Sequence, residues 1–205
     1  LREYIKTFGQ DKIILMEHNT DIFGQSMDIS HSANTQPPVR LRSPETAQHA
    51  TDVRDDLFMP ELYRYTFPEL VATNRECGED EESYKAMAGF SFLYGLRFDM
   101  TIYRCCGSLR DIPRYAAYLK EISALYERYG DFLLRGRFVD SDGFISDSEN
   151  VLVKGWEGCR GGLAVSLWNP TGEDQVVNLR SRRTGRAVTI IVPAERVAAA
   201  VIDEA

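Results

Sequence analysis

Apolar positions in the first two thirds of the chain alternate between strand-like and helix-like periods, and beyond Gly136 only the strand-like period persists. Residues 11–17 (DKIILME) hold four consecutive apolar side chains between Gly9 and a polar stretch. Such a run predicts a strand covered on both faces, as in a parallel sheet. It closes at Glu17. The polar segment 18–43, with Pro37 and Pro38, reads as a long loop, and Ser43-Pro44-Glu45 predicts a helix start, with a capping hydroxyl and proline at the first helical position. That helix should run to about Leu57. Residues 62–67 (LYRYTF) are aromatic and β-prone and predict a second strand closing at Pro68. The acidic run 79–82 suits the N-terminus of a helix carrying Tyr84, Met87, Phe90 and Ser91 and ending near Gly95. Residues 96–103 alternate, Leu96, Phe98 and Met100 against Arg97, Asp99 and Thr101, and predict a third strand. A long helix follows, with Asp111 as its cap, Pro113 in its first turn and Ile112, Tyr115, Leu119, Ile122, Tyr126 and Tyr129 at helical spacing; Gly130 marks its end or a kink.

From there on, strand-like segments at 151–156, 162–168, 175–179, 187–192 and 196–202 are separated by turn signals such as Asn169-Pro170-Thr171-Gly172 and Thr184-Gly185. Short strands at this spacing predict an antiparallel sandwich. The fold class is therefore α/β plus all-β: the C-terminal part of a (β/α)8 barrel followed by an antiparallel β-sandwich. The expected division lies within 136–148, giving a barrel segment over 1–136 and a sandwich over 137–205. Three strand-plus-helix units cannot close an eight-stranded barrel, so the chain reads as a segment that needs strands preceding Leu1 and is inactive alone.

Composition narrows the functional classes. Of 205 residues, 43% are hydrophobic and 27% charged, which is the globular range. A net charge of −7 argues against a nucleic-acid surface. No apolar run approaches the ~20 residues of a bilayer crossing. The cysteines, Cys77, Cys105, Cys106 and Cys159, contain no C-x-x-C pair, which speaks against structural zinc. Reduced thiols are the natural reading and point to the cytoplasm. No helix follows Gly158, Gly161 and Gly162, so they make no phosphate cradle, and no G-x-S-x-G element is present. No cofactor is expected. A homo-oligomeric contact through the sandwich is compatible with the sequence.

In a β/α barrel the functional side chains sit at the C-terminal ends of strands and on the loops that follow. That rule selects Glu17, the loop 18–28 with His18, Asp21, Phe23 and Asp28, Arg64 to Glu69 after the second strand, and then Arg97 to Asp99 on the third strand with the loop after it. Glycoside hydrolysis needs two carboxyl groups about the scissile bond, one giving a proton and the other attacking or activating water. Glu17 is suited to be one of them. The plain alternative is a salt bridge from Glu17 to Arg64 or Arg97. His18, Asp21, Asp28 and His31 invite a metal reading, but their spacing matches no compact ligand motif, and no metal is expected. The histidines suit hydrogen bonds to sugar hydroxyls, and Phe23 suits stacking on a sugar ring. Tyr63, Tyr65 and Phe67 are expected to pack into the core from one strand face, and Trp156 and Trp168 to pack in the core or between the two parts.

The stretches IILMEHNTDIFGQSMDISHS, MPELYRYTFPEL, YGDFLLRGRFVDSDGF, VLVKGWEG and AVSLWNPTGEDQVVNL resemble, in order, the C-terminal portion of α-galactosidase-like glycoside hydrolases, with bacterial relatives nearest in character. The resemblance implies a (β/α)8 barrel followed by a β-sandwich, and action on α-linked sugars by a retaining mechanism with two carboxylates and no metal. One carboxylate would lie on a strand upstream of Leu1. Glu17 or Asp28 is the position implied for the second. The alternative is a non-catalytic carbohydrate-binding or structural module, distinguished by whether a paired carboxylate exists upstream.

Overall fold

A computed structural model describes residues 2–17, 24–31, 60–78, 83–102 and 106–204, which form four α-helices and eleven strands. Strands β1 (Leu15–Glu17), β2 (Ile29–His31), β3 (Val71–Gly78) and β4 (Arg97–Ile102) lie side by side in that order, each parallel to the next. Parallel neighbours need a crossover. Helix α1 (Arg2–Lys6) precedes β1, α2 (Pro60–Thr66) lies between β2 and β3, α3 (Ser83–Leu93) between β3 and β4, and α4 (Pro113–Leu133) follows β4.

The strand expected at 62–67 is the helix α2. Pro60 and Glu61 in its first turn favour a helix start. Its aromatics then meet four residues apart: Tyr63 and Phe67 have ring centroids 5.4 Å apart and pack with Ile14, Met27 and Leu70 beneath the parallel sheet. Tyr65 points the other way, toward Phe138. The β-propensity of LYRYTF loses to this packing. The strands at 29–31 and 71–78 replace it in the sheet. The helix expected from Ser43 to Leu57 lies outside the described residues.

Asp111 does not cap α4. It closes a capping box with Ser108, whose amide donates to Asp111 Oδ2 at 2.7 Å, on the 3-10 turn Leu109–Asp111 just ahead. Pro113 opens α4, and the helix kinks at Tyr129 (φ −112°, ψ 16°), one residue before Gly130. Ile112, Tyr115, Ile122 and Leu133 are buried.

The remaining strands form two antiparallel sheets. β5 (Arg137–Asp140), β7 (Leu152–Glu157), β8 (Leu163–Trp168) and β11 (Val197–Asp203) make one, in the order β11-β8-β7-β5. β6 (Phe144–Ser146), β9 (Gln175–Ser181) and β10 (Ala187–Val192) make the other, in the order β10-β9-β6. The stretch 136–148, rich in glycine, aspartate and serine, thus places one strand in each sheet. Val165, Leu167, Val177, Leu179, Val192 and Ile202 fill the space between them.

Strand β8 is buried on both faces and ties the layers together. Its other face carries Trp168, whose Nε1 would lie 2.3 Å from a Cβ at Gly89 on α3, so only glycine lets helix and sheet approach this closely. Ser166 donates to the Leu93 carbonyl at 2.7 Å and accepts from Trp156 Nε1 at 3.0 Å. Helix α3 in turn meets the parallel sheet, where Asn74 Nδ2 donates to Ser91 Oγ at 2.9 Å. The order of layers is parallel sheet, helices α3 and α4, four-stranded antiparallel sheet, three-stranded antiparallel sheet.

Candidate functional site

The helices cover one face of the parallel sheet. Side chains alternate across a strand, and Ile14, Ser30, Ala72 and Asn74 point to the covered side and are buried. The opposite face is open among the described residues. Its first row pairs Leu15 with Ile29 and Ile29 with Val71. Leu15 is 51% exposed and Val71 38%. Parallel sheets are ordinarily covered on both faces, so these apolar residues form a surface suited to further protein.

Two residues along each strand, the same face turns polar. Glu17 is in register with His31, Ser30 with Ala72, and Thr73 with Arg97, so His31, Thr73 and Arg97 continue one row, with Glu17 at its end. His31 Nε2 lies 3.2 Å from Asp99 Oδ2, and its Nδ1 lies 3.4 Å from Thr73 Oγ1. With Nε2–H donating to the carboxylate, Nδ1 is left to accept from the threonine hydroxyl. The imidazole is held at both nitrogens, and β2, β3 and β4 are joined across the sheet. An imidazole, a hydroxyl and a guanidinium along this row, with the Asp99 carboxylate beside the imidazole, can hold a polar ligand by several hydrogen bonds.

Arg97 and Asp99, selected from the sequence, therefore share one face two residues apart on β4. Glu17 ends β1 next to His31. His18, Asp21 and Phe23 lie outside the described residues. Asp28 stands apart, three residues before His31 and thus about 10 Å back along the strand. Its carboxylate is engaged by Arg2 at 2.7 Å, Lys6 at 3.3 Å and the Ile14 amide at 3.0 Å. The Ile14 hydrogen bond, opposed by burial and aided by Lys6 and Arg2, holds its carboxyl below the usual range. The structure does not bring Asp28 to the polar row. Thr73 was missed in the sequence because β3 was missed, and His31, read as a loop residue with a hydrogen-bonding role, lies on β2. Among the described residues no three histidine, cysteine or carboxylate side chains gather in a way that would hold a metal ion.

Arg64, expected as a possible partner of Glu17, is buried in α2 instead. Its guanidinium lies 5.3 Å from the Trp156 ring centroid and donates to the Leu70 carbonyl at 3.4 Å. Next to it, Lys154 on β7 bridges Glu61 at 2.7 Å and Asp140 at 2.5 Å, while the Tyr94 hydroxyl donates to Glu61. This network ties α2 to the antiparallel sheet. Burial opposes the charge on Glu61, but Lys154 and Tyr94 more than offset it and keep the carboxyl below its ordinary range. Burial likewise opposes the Lys154 charge, and the two carboxylates win and push it up.

Among the described residues no helix is long and apolar enough to cross a membrane. No protein-family model and no curated protein sequence matches the chain. Its fold is similar to that of a noncanonic maltogenic α-amylase, AmyB from Thermotoga neapolitana, a glycoside hydrolase, with a TM-score of 0.51 at 13% identity. The similarity covers 99% of this chain and 54% of the amylase, so the chain spans about half the length of that enzyme.

Proposed function

We propose that the chain is the C-terminal part of a glycoside hydrolase acting on α-linked sugars, in which β1 to β4 are the last strands of a (β/α)8 barrel and the antiparallel sheets are its β-sandwich. The observation that carries this reading is the open face of the parallel sheet, apolar at the row of Leu15, Ile29 and Val71 and polar at the row of His31, Thr73 and Arg97. A closed barrel has this polarity, with a packed lower interior and functional groups at the C-terminal rim. The fold similarity to an α-amylase supports the same class.

In this reading Glu17 is one of the paired carboxylates, and the other lies on a strand that precedes Leu1. Asp99 and Arg97 bind substrate hydroxyls, with His31 fixing the Asp99 carboxylate. His18, Asp21 and Phe23, which follow Glu17 in the sequence, are assigned the remaining sugar contacts. Asp28 has three partners away from the rim and anchors the start of the first two strands.

The test is Glu17→Gln in the protein that includes the upstream strands, assayed on aryl α-glycosides. The expected result is a fall in kcat of about 10²-fold or more with the melting temperature unchanged. Asp99→Asn should act mainly on KM. Unchanged turnover in Glu17→Gln would remove that residue from the catalytic pair, and an upstream sequence without a strand-end carboxylate would sink the hydrolase reading.

A further inference from the structure

A second cleft, of about 190 Å³, lies away from the polar row of the parallel sheet, where α2 meets the edge of the antiparallel sheets. Tyr65 of α2 forms one wall, and Arg137, Asp142, Glu157, Gly162 and Arg183 lie around it. Tyr65 is 47% exposed, and the edge contact of its ring with Phe138, at 5.4 Å between centroids and 67° between planes, sets its tilt. Partial burial, with the Asp140 and Asp142 carboxylates beside it, pushes its hydroxyl above the usual tyrosine range and keeps it a donor.

The charged groups of the rim are already paired with one another. Arg137 Nε and Nη2 both reach Glu157 Oε2, at 3.1 and 2.5 Å. The Asp142 amide donates to the Val139 carbonyl at 2.9 Å, and the Arg182 amide to the Gly143 carbonyl at 2.8 Å, with Gly143 at φ 87°. Arg183 lies 3.6 Å from Asp203, itself held by the Ser181 hydroxyl at 2.7 Å. Both arginines thus have a carboxylate partner, and Asp142 adds a further negative charge. An anion would find no excess positive charge here. A neutral ligand with many hydroxyls meets donors and acceptors in matched planar groups, with an aromatic face for its C–H surface. The volume is below the ~300–1,000 Å³ of sites that enclose a whole small molecule, which suits one ring of a longer ligand with its neighbours in solvent.

We propose that this cleft is an accessory binding site for a single neutral pyranose unit of an α-linked saccharide, with Tyr65 as the stacking platform and Arg137, Asp142 and Glu157 as hydroxyl partners. The choice of a saccharide rests on the carbohydrate reading above, and the site itself takes no part in bond cleavage.

Hydrogen exchange on the intact protein, with maltose as the probe, separates the two sites by location. The expected result is slowed exchange in 137–143 and 157–163 at millimolar maltose. Tyr65→Ala should weaken it roughly tenfold, and Tyr65→Phe, which keeps the ring, by no more than about twofold. Asp142→Ala, on an exposed turn, gives a second variant free of folding concerns and should also weaken protection severalfold. Protection confined to the strands ending at Glu17 and His31 would overturn this site and leave the hydrolase reading standing. Protection of 137–143 in a protein that hydrolyses no α-glycoside would do the reverse. Equal protection in the wild type, Tyr65→Ala and Asp142→Ala, or protection by inorganic phosphate in place of maltose, would overturn the proposal.

Discussion

At the scale of single residues, two acidic side chains with similar surroundings in the sequence have different tasks in the fold. Asp28 and Asp99 both lie beside parallel strands, but Asp28 meets two cations and a backbone amide while Asp99 meets an imidazole at the polar row. Asp28→Asn is therefore expected to cost on the order of 1 kcal/mol in stability and to leave any turnover of the complete protein proposed above unchanged. Because its folded carboxyl titrates below the ordinary range, its contribution is complete above that range and is lost as pH falls through the depressed value. Denaturant melts of the wild type and Asp28→Asn, compared between neutral and acidic pH, should converge on the acid side. Lys154 behaves with the opposite sign. Its folded ammonium titrates above the ordinary range, so its contribution is complete below that range and is lost as pH rises through the elevated value. Lys154→Met leaves Glu61 and Asp140 facing each other without a cation, and a loss of about 3 kcal/mol is expected. The double variant with Glu61→Gln should recover part of it, which a double-mutant cycle measures.

At the scale of elements, the sequence was legible where one physical signal dominated. Alternation marked β4, and helical spacing over many turns marked α4. The five strands after Leu152 had turn residues on both sides. It was illegible where tertiary contacts decided. LYRYTF has strand propensity, but Tyr63 and Phe67 pack beneath the sheet while Glu61 and Tyr65 reach the antiparallel side, and only a helix meets both demands. Strand β3, VATNRECG, has almost no apolar alternation because its covered side holds Ala72 and Asn74 and its open side holds Thr73. A strand whose faces are both polar in part gives no period to read. The segment 136–148 carries turn residues because β5 and β6 are short and joined by a tight turn. Of the candidate site, the strand-end rule reached Glu17, Arg97 and Asp99 but not Thr73. The same layers yield two stability predictions. Ile122→Ala, at a fully buried position of α4, should cost about 2–5 kcal/mol. Gly89→Ala should cost about 1–3 kcal/mol, since its Cβ meets the Trp168 ring, and chemical denaturation measures both.

At the scale of the whole molecule, the open sheet face sets the 205-residue chain apart from the complete protein proposed for it. Leu15 and Val71 are exposed on that face, and an apolar patch on a parallel sheet favours association or dye binding. If upstream strands cover it, one substitution has opposite consequences in two contexts. Leu15→Ser in the 205-residue chain removes exposed apolar surface, so the melting temperature should hold while self-association, read by sedimentation velocity, declines. In the protein with its upstream strands the same side chain is buried, and the loss of burial with the cavity left behind should cost about 2–5 kcal/mol. The contrast depends on coverage and not on any catalytic role, so it tests the barrel without reference to activity. A variant equally stable in both contexts would mean that no upstream strand covers this face. The polar row at His31, Thr73 and Arg97 would then lie on an open surface, where water competes for every hydrogen bond and a carboxylate has little power over a glycosidic bond.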